Sequence, residues 1–273
     1  MVEEKKQQKN TRNTRNKRNT RNTRNFPVEE PNILETWKPK TDLGKKVKSG
    51  EITDIEQIFA SGERILEPEI VDVLLSNLET DLLLIGQAKG KFGGGQRRIF
   101  RQTQKKTREG NRIKFATCAL AGNKNGYVGV AFGKSKETVP ARDKSLRKAK
   151  LNIIKIRRGC GSWEGVPGSN SIPFAVEGKC GSSKIKLMPA PEGTGLCVEK
   201  ECAKILAFAG IEDVWSKTQG QTKTKVNLIK ACVKALEKLS ETKIQARHVD
   251  MLGVQDGKLK SENVEETNLP DES

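Results

Sequence analysis

Residues 112–134 read RIKFATCALAGNKNGYVGVAFGK. The first half alternates, with Ile113, Phe115, Thr117 and Ala119 set against Arg112, Lys114, Ala116 and Cys118. A period of two predicts a half-buried strand. Asn123-Lys124-Asn125-Gly126 supplies turn chemistry, and Tyr127 to Phe132 predicts the returning strand. Gly129 and Gly133 interrupt that return, which points to a bulge or to a close approach of another backbone. Beyond Pro140, ARDKSLRKAKLNIIKIRR predicts a helix of about four turns. Leu146, Ala149 and Ile153 line one face of it, and Arg142, Lys144, Arg147, Lys148 and Lys150 are displayed around the rest. With an earlier strand starting in Leu82–Ile85, the unit is a β-β-β-α sheet with one packed helix.

The segment before this hairpin is strongly basic. Residues 86–115 hold ten Lys or Arg against a single acid, Glu109. Residues 86–98 carry five glycines and no long apolar run, which predicts a mobile loop, and the charge on 86–112 is expected to be mobile with it. Positive charge concentrated beside folded elements is the footprint of nucleic-acid binding.

The whole chain has 273 residues and a formal net charge of +17, from 51 basic and 34 acidic side chains. Residues 1–25 carry +7 and residues 249–273 carry −5, which leaves +15 on residues 26–248. A body with that excess repels itself unless a polyanion neutralises it, and a phosphate backbone is the natural neutraliser. No amphipathic helix with an aromatic face argues for a membrane surface, and no apolar run approaches the ~18 residues of a span. The N-terminus is charged throughout and has no apolar signal core, so a cytoplasmic location is expected. Six cysteines occur without any CxxC spacing, which reads as reduced thiols in or near a core.

Residues 11–25 are five triplets ending in Arg-Asn, a polar period of three that can bury nothing, so residues 1–30 are expected to be a disordered basic tail. Residues 31–79 predict short helices. Thr53 or Asp54 caps one that carries Ile55, Ile58 and Phe59 and stops at Gly62; Pro68 starts another, with Ile70, Val73 and Leu74 inward. Trp37 reads as an anchor for this extension. The sheet unit then spans 80–159. A second α/β unit spans 160–246, with strands at Ile172–Val176, Lys184–Met188 and Ile211–Trp215. Its helices carry Val198, Cys202, Ile205, Leu206 and Ala209, and then residues 226–239. From about Arg247 periodicity is lost and acids accumulate, so 247–273 is expected to be a disordered acidic tail.

Enzymatic chemistry finds little support. Gly129-x3-Gly133-Lys134-Ser135 resembles a phosphate loop but is one residue short, and Val128 stands where the first glycine is needed. His248 is the only histidine, so no Ser/His or Cys/His nucleophile pair is available. No pair of carboxylates sits in an apolar context, and the cysteine spacing suits no zinc site. The expectation is no enzyme, no cofactor and no metal.

Residues 122–164, GNKNGYVGVAFGKSKETVPARDKSLRKAKLNIIKIRRGCGSWE, resemble the universal S-five family of small-subunit ribosomal proteins in its archaeal form. SIPFAVEG, KIKLMPAPEGTGL and AGIEDVWSKTQGQTKTKVNLIKA continue the likeness, and WKPKTDLGKKVKSGEITDIEQIF and PEIVDVLL match the archaeal extension. Together they cover about residues 36–240. The resemblance implies an α+β protein of two small α/β-sandwich domains with disordered tails. The first would be a double-stranded-RNA-binding-like β-β-β-α domain, the second of the left-handed βαβ ribosomal type, against the usual handedness. It implies a structural constituent of the small ribosomal subunit, binding ribosomal RNA near the decoding region and the messenger entry channel and supporting assembly and translational accuracy. Implied partners are that RNA, messenger RNA, and neighbours of the S-four and S-eight families, with no membrane and no homo-oligomer. Carried onto this chain, the RNA-facing residues would be Arg97, Arg98, Arg101, Lys105, Lys106, Arg108, Arg112 and Lys114 in the arm. In the hairpin they would be Asn123, Lys124, Gly126, Tyr127, Gly133, Lys134 and Lys136. In the helix and its exit they would be Arg147, Lys148, Lys150, Arg157 and Arg158. Archaeal relatives often read CGSWECxC after the helix; here Cys160 is followed by GSWEGVPGSNS, which removes the metal reading.

Overall fold

The computed structural model describes residues 37–75, 77–87, 97–161 and 169–258. The triplet repeat, the middle of the glycine-rich loop and the end of the acidic tail lie outside the described residues. Three short helices come first: α1 (Asp42–Ser49), α2 (Ile55–Ser61) and α3 (Pro68–Leu74). Thr41 caps α1 by accepting from the Gly44 N–H, and left-handed Gly50 and Gly62 end α1 and α2. Pro68 opens α3 where its missing N–H costs nothing. Leu43, Val47, Ile55, Ile58, Ile70 and Val71 pack with Trp37 against Tyr127 and Ile153. Trp37 is the anchor its sequence context suggests. It is buried, and its indole N–H donates to Glu67 at 2.9 Å.

The first sheet contains β1 (Glu79–Leu83), β2 (Arg101–Thr107), β3 (Gly110–Gly122), β4 (Tyr127–Ser135) and β5 (Ile153–Lys155). Its order is β1-β3-β4-β5, with β2 paired to β3 off that path. The helix α4 (Thr138–Leu151) lies across one face. It approaches closely because the facing residues are small: Ala119, Ala121 and Ala131 meet its Ala149. A Cβ on Gly133 would stand 2.3 Å from the Ala141 carbonyl oxygen, and one on Gly129 2.2 Å from that of Ala149. The interrupting glycines therefore mark a close helix approach, not a bulge. The Thr117 hydroxyl, buried under α4, donates to Ala141 O at 3.0 Å. The opposite face of the same strands sends Cys118, Leu120 and Val128 into the core of the second unit.

That second unit has β7 (Val176–Cys180), β8 (Ser183–Pro189), β9 (Leu196–Cys197), α5 (Lys200–Phe208), β10 (Val214–Gln219) and α6 (Lys225–Glu241), after a two-residue strand β6 (Arg157–Arg158). The sheet order is β7-β8-β10-β9. Strands β9 and β10 are parallel and α5 connects them, a crossover unit. Ile185, Leu187 and Val214 face Ile205, Leu206, Ile229, Ala231 and Leu236. Two expected strands are displaced: β7 begins where Ile172–Val176 is expected to end, and β10 starts at Val214, three residues after the expected start at Ile211, and runs on to Gln219. In both, polar residues alternate with inward ones, so the apolar runs marked only the strand entries. The segment after Arg247, expected to be without structure, contains α7 (Ala246–Met251) and β11 (Gln255–Asp256). β11 pairs antiparallel with β6, and the Arg157 guanidinium holds Asp256 at 2.7 Å.

Candidate nucleic-acid interface

Strand β3 is thirteen residues long, and only its second half is sandwiched. Phe115 to Gly122 pairs with β4, and Cys118 to Gly122 also pairs with β1. Gly110 to Lys114 pairs with β2 alone, from Lys114 opposite Thr103 to Gly110 opposite Thr107. The result is a two-stranded ribbon projecting from the body, exposed on both faces from Arg101 to Lys106 and from Gly110 to Lys114. Arg108 and Glu109 form its tip. Gly110 has φ 110°, and the Thr107 hydroxyl closes the turn on Gly110 O at 2.7 Å. The basic arm is thus a strand with fixed register as far as Arg101, and the expectation of mobile charge through residue 112 is corrected for 101–112. No apolar alternation announced it, because β2 buries neither face.

Register converts this ribbon into a one-sided charge. Arg101 and Lys134 both lie opposite Ala116, Lys114 lies opposite Thr103, and Arg112 lies opposite Lys105. Residues opposite one another, or two apart, share a face. Arg101, Lys105, Arg112, Lys114 and Lys134 therefore share one face, while the other carries Gln102, Gln104, Lys106, Asn111 and Ile113. Among the described residues an ion pair on the ribbon joins Arg112 to Glu109 at 2.6 Å, and both side chains are exposed. The charged face continues along β4 to Phe132, whose ring lies 5.3 Å from the Lys230 ammonium of α6. On the other side of the sheet, Arg147 and Lys148 of α4 are exposed; Lys136 and Arg98, just outside the strands, are exposed as well.

The remaining expected contacts are placed differently. Arg97 is half-buried and donates to Lys223 O at 3.3 Å. Lys150 is half-buried against Asp72 at 2.6 Å, and Lys124, exposed, pairs with Glu79 at 2.6 Å. Arg157 is tied to Asp256 and donates to Thr242 O at 2.6 Å. The resemblance sets Gly126, Tyr127, Gly133 and Arg158 against RNA; the structure buries all four.

Gly133 lies under α4; Gly126 and Arg158 clasp the two units together, and Tyr127 ties the hairpin to the helical extension. Asn123 Oδ1 accepts from the N–H groups of Asn125 and Tyr127, which lets Lys124 take φ 57° and Gly126 φ 84°. The N–H groups of Lys124 and Gly126 then donate to Phe208 O and Ala209 O, closing the C-terminal end of α5. Arg158, 2% exposed, donates through Nη2 to Asn125 Oδ1 at 2.7 Å and to Gly257 O at 2.8 Å. Tyr127 donates its hydroxyl to Glu56 of α2 at 3.0 Å. Burial pushes the Tyr127 phenol well above its ordinary range, and the neighbouring Glu56 carboxylate adds to it. Burial works against ionisation of Glu56, but hydrogen bonds from Lys155 and Tyr127 outweigh it and hold that carboxyl below its usual value. Nothing local in GNKNGY distinguishes an RNA-contacting turn from a domain clasp; the partners, Ala209 and Gly257, lie far along the chain.

Residues 99–157 match the family model of the ribosomal protein S5 N-terminal domain, and residues 178–248 that of the S5 C-terminal domain. The small ribosomal subunit protein uS5 of Nanoarchaeum equitans is 46% identical over 227 residues, 83% of this chain and 97% of its own. That of Methanocaldococcus jannaschii is 42% identical over 227 residues, 83% of this chain and 98% of its own. That of Methanobrevibacter smithii is 42% identical over 222 residues, 81% of this chain and 97% of its own. With two matched domains in order and this identity across most of its length, the chain belongs to the small ribosomal subunit protein uS5 family.

Proposed function

We propose that the protein is a structural constituent of the small ribosomal subunit and that its projecting ribbon lies on ribosomal RNA. The observation that carries this reading is the register that gathers Arg101, Lys105, Arg112, Lys114 and Lys134 on one solvent-exposed face. A-form RNA presents phosphates and 2′-hydroxyls across a shallow groove, and it is bound by shape and charge more than by sequence. A narrow ribbon with fixed cations suits that surface. Exposed Arg98, Lys106, Arg108, Lys136, Arg147 and Lys148 flank it, with Asn123 and Lys124 at the far end of the hairpin. The finer reading has the first unit double-stranded-RNA-binding-like and the second of left-handed βαβ form. It seats the protein near the decoding region and the messenger entry channel, where it would support accuracy. Neighbours of the S-four and S-eight families would stand beside it.

Changing Arg101, Lys105, Arg112 and Lys114 together to Gln tests the proposal on a small-subunit RNA fragment. The slope of log affinity against log salt should flatten by about 3, from ~0.7–0.9 per lost phosphate contact. An unchanged slope, or absence of the protein from salt-washed small subunits, overturns it.

A further inference from the structure

The second sheet has one face on α6 and one face in solvent, and the solvent face has an unusual composition. Its register lays out three cross-strand rows. Met188 lies opposite Trp215, which lies beside Cys197; Glu177 lies opposite Lys186, which lies opposite Lys217; Lys179 lies opposite Lys184, which lies opposite Gln219. The alternate residues Val176, Ile185, Leu187 and Val214 point into the core, so these rows point out. Trp215 is 43% exposed, although a tryptophan ordinarily buries most of its surface. The lysines make two directly opposed like-charge pairs, Lys179 with Lys184 and Lys186 with Lys217. Such pairs oppose sheet formation. The one acid on the face, Glu177, reaches Lys186 at 3.3 Å with both side chains largely exposed, an ion pair too weak to offset four lysines.

An open ring on a sheet with lysines in the adjoining rows is the arrangement that holds an unpaired strand. The ring stacks a base, and the ammonium groups, about 7 Å along the strands, take the backbone phosphates. We propose that this face is a second nucleic-acid site, for single-stranded RNA, with Trp215 stacking a base and Lys184, Lys186 and Lys217 on phosphates. The site is independent of the ribbon, whose cations suit duplex phosphates. Charge complementarity favours a polyanion over a protein as the occupant, since four lysines against one glutamate leave a protein surface to supply matching acids. No pattern along the sequence shows the site, because the four lysines and the tryptophan meet only across three strands.

The test uses the full chain carrying the four ribbon Gln substitutions, so that ribbon binding does not mask the face, and a labelled oligouridine as probe. Trp215→Ala should weaken binding of the single strand by about 5- to 150-fold, and Trp215→Phe should restore most of it. Lys184, Lys186 and Lys217 changed together to Gln should lower the salt slope by about 2. Circular dichroism should be unchanged in each variant, since all these side chains are on the open face. Equal binding by Trp215→Ala and its parent overturns the proposal, and so does a duplex that competes as well as the single strand. If oligouridine does not bind while a small-subunit protein protects Trp215, the face belongs to a protein and the proposal fails. Failure at this face leaves the ribbon result, read on the duplex fragment, untouched.

Discussion

The two halves of β3 share a backbone and a register yet obey opposite rules. From Phe115 to Gly122 the strand lies between neighbours and is covered on both faces, by α4 on one and by the second unit's core on the other. Its residues are accordingly small or apolar throughout, and alternation is lost where both sides are buried. From Gly110 to Lys114 the strand has one partner and no cover, and its side chains are polar except for exposed Ile113. An isolated two-stranded hairpin is marginal in water. The ribbon therefore borrows its order from the buried half, which fixes where the cations stand without spending any apolar surface on them.

Matched truncations break this comparison most directly. Leu120, fully buried, should lose about 2–5 kcal/mol on change to Ala. Ile113, on the same strand but 40% exposed, should lose less than about 0.5 kcal/mol. Urea unfolding of the two variants measures both; similar losses would mean that the outer half is packed against something. The clasp at the inner end comes next. Arg158→Ala leaves half-buried Asn125 Oδ1 and buried Gly257 O without this donor and should cost roughly 1–3 kcal/mol in the same assay.

Acid separates body from ribbon by another route. The ribbon's only carboxylate is Glu109, whereas the body relies on carboxylates such as Glu67. Burial disfavours the charged Glu67, but the N–H groups of Lys40 and Thr41, the Thr41 hydroxyl and the Trp37 indole outweigh it and depress its pKa. A depressed folded value means that Glu67 stabilises the fold above its unfolded pKa of ~4.3 and loses that contribution as pH falls through the folded value. Thermal melts from pH 7 to pH 3 should show Glu67→Gln less stable than the parent at pH 7 and converging with it in acid; a constant gap would refute the assignment. The smallest stability effect is expected from excision. Replacing Gln104–Ile113 by Asn-Gly, which leaves the opposed Thr103 and Lys114 to flank the new turn, should move the melting temperature by less than about 2 °C while removing most duplex RNA binding.

What could be read from the sequence divides along the same line. Helices α2, α3, α4 and α6 and the β3–β4 turn declared themselves, because each carries an apolar period or a stop signal close in sequence. Strand β2 did not, since Gln102 to Lys106 has no buried face to give it a period. The β6–β11 pair and the Arg158 clasp also stayed hidden, because their partners lie about a hundred residues apart. The basic residues of the interface were legible as a cluster, but which of them share a face was not. That depended on knowing that Ala116 stands opposite both Arg101 and Lys134. Tyr127 and Arg158 show the converse, residue types suited to RNA contact that the fold uses inside.

The clasp also sets a timetable. Arg158 and Gly257 are 99 residues apart, so the guanidinium leaves the synthesising ribosome long before its last acceptor exists. At ~5–20 residues per second that interval is about 5–20 s. During it the nascent first unit has its sheet and helix complete, but Arg158 at the hairpin's base has Asn125 Oδ1 and still lacks its Gly257 acceptor. Final closure is thereby deferred to the arrival of residues 255–257.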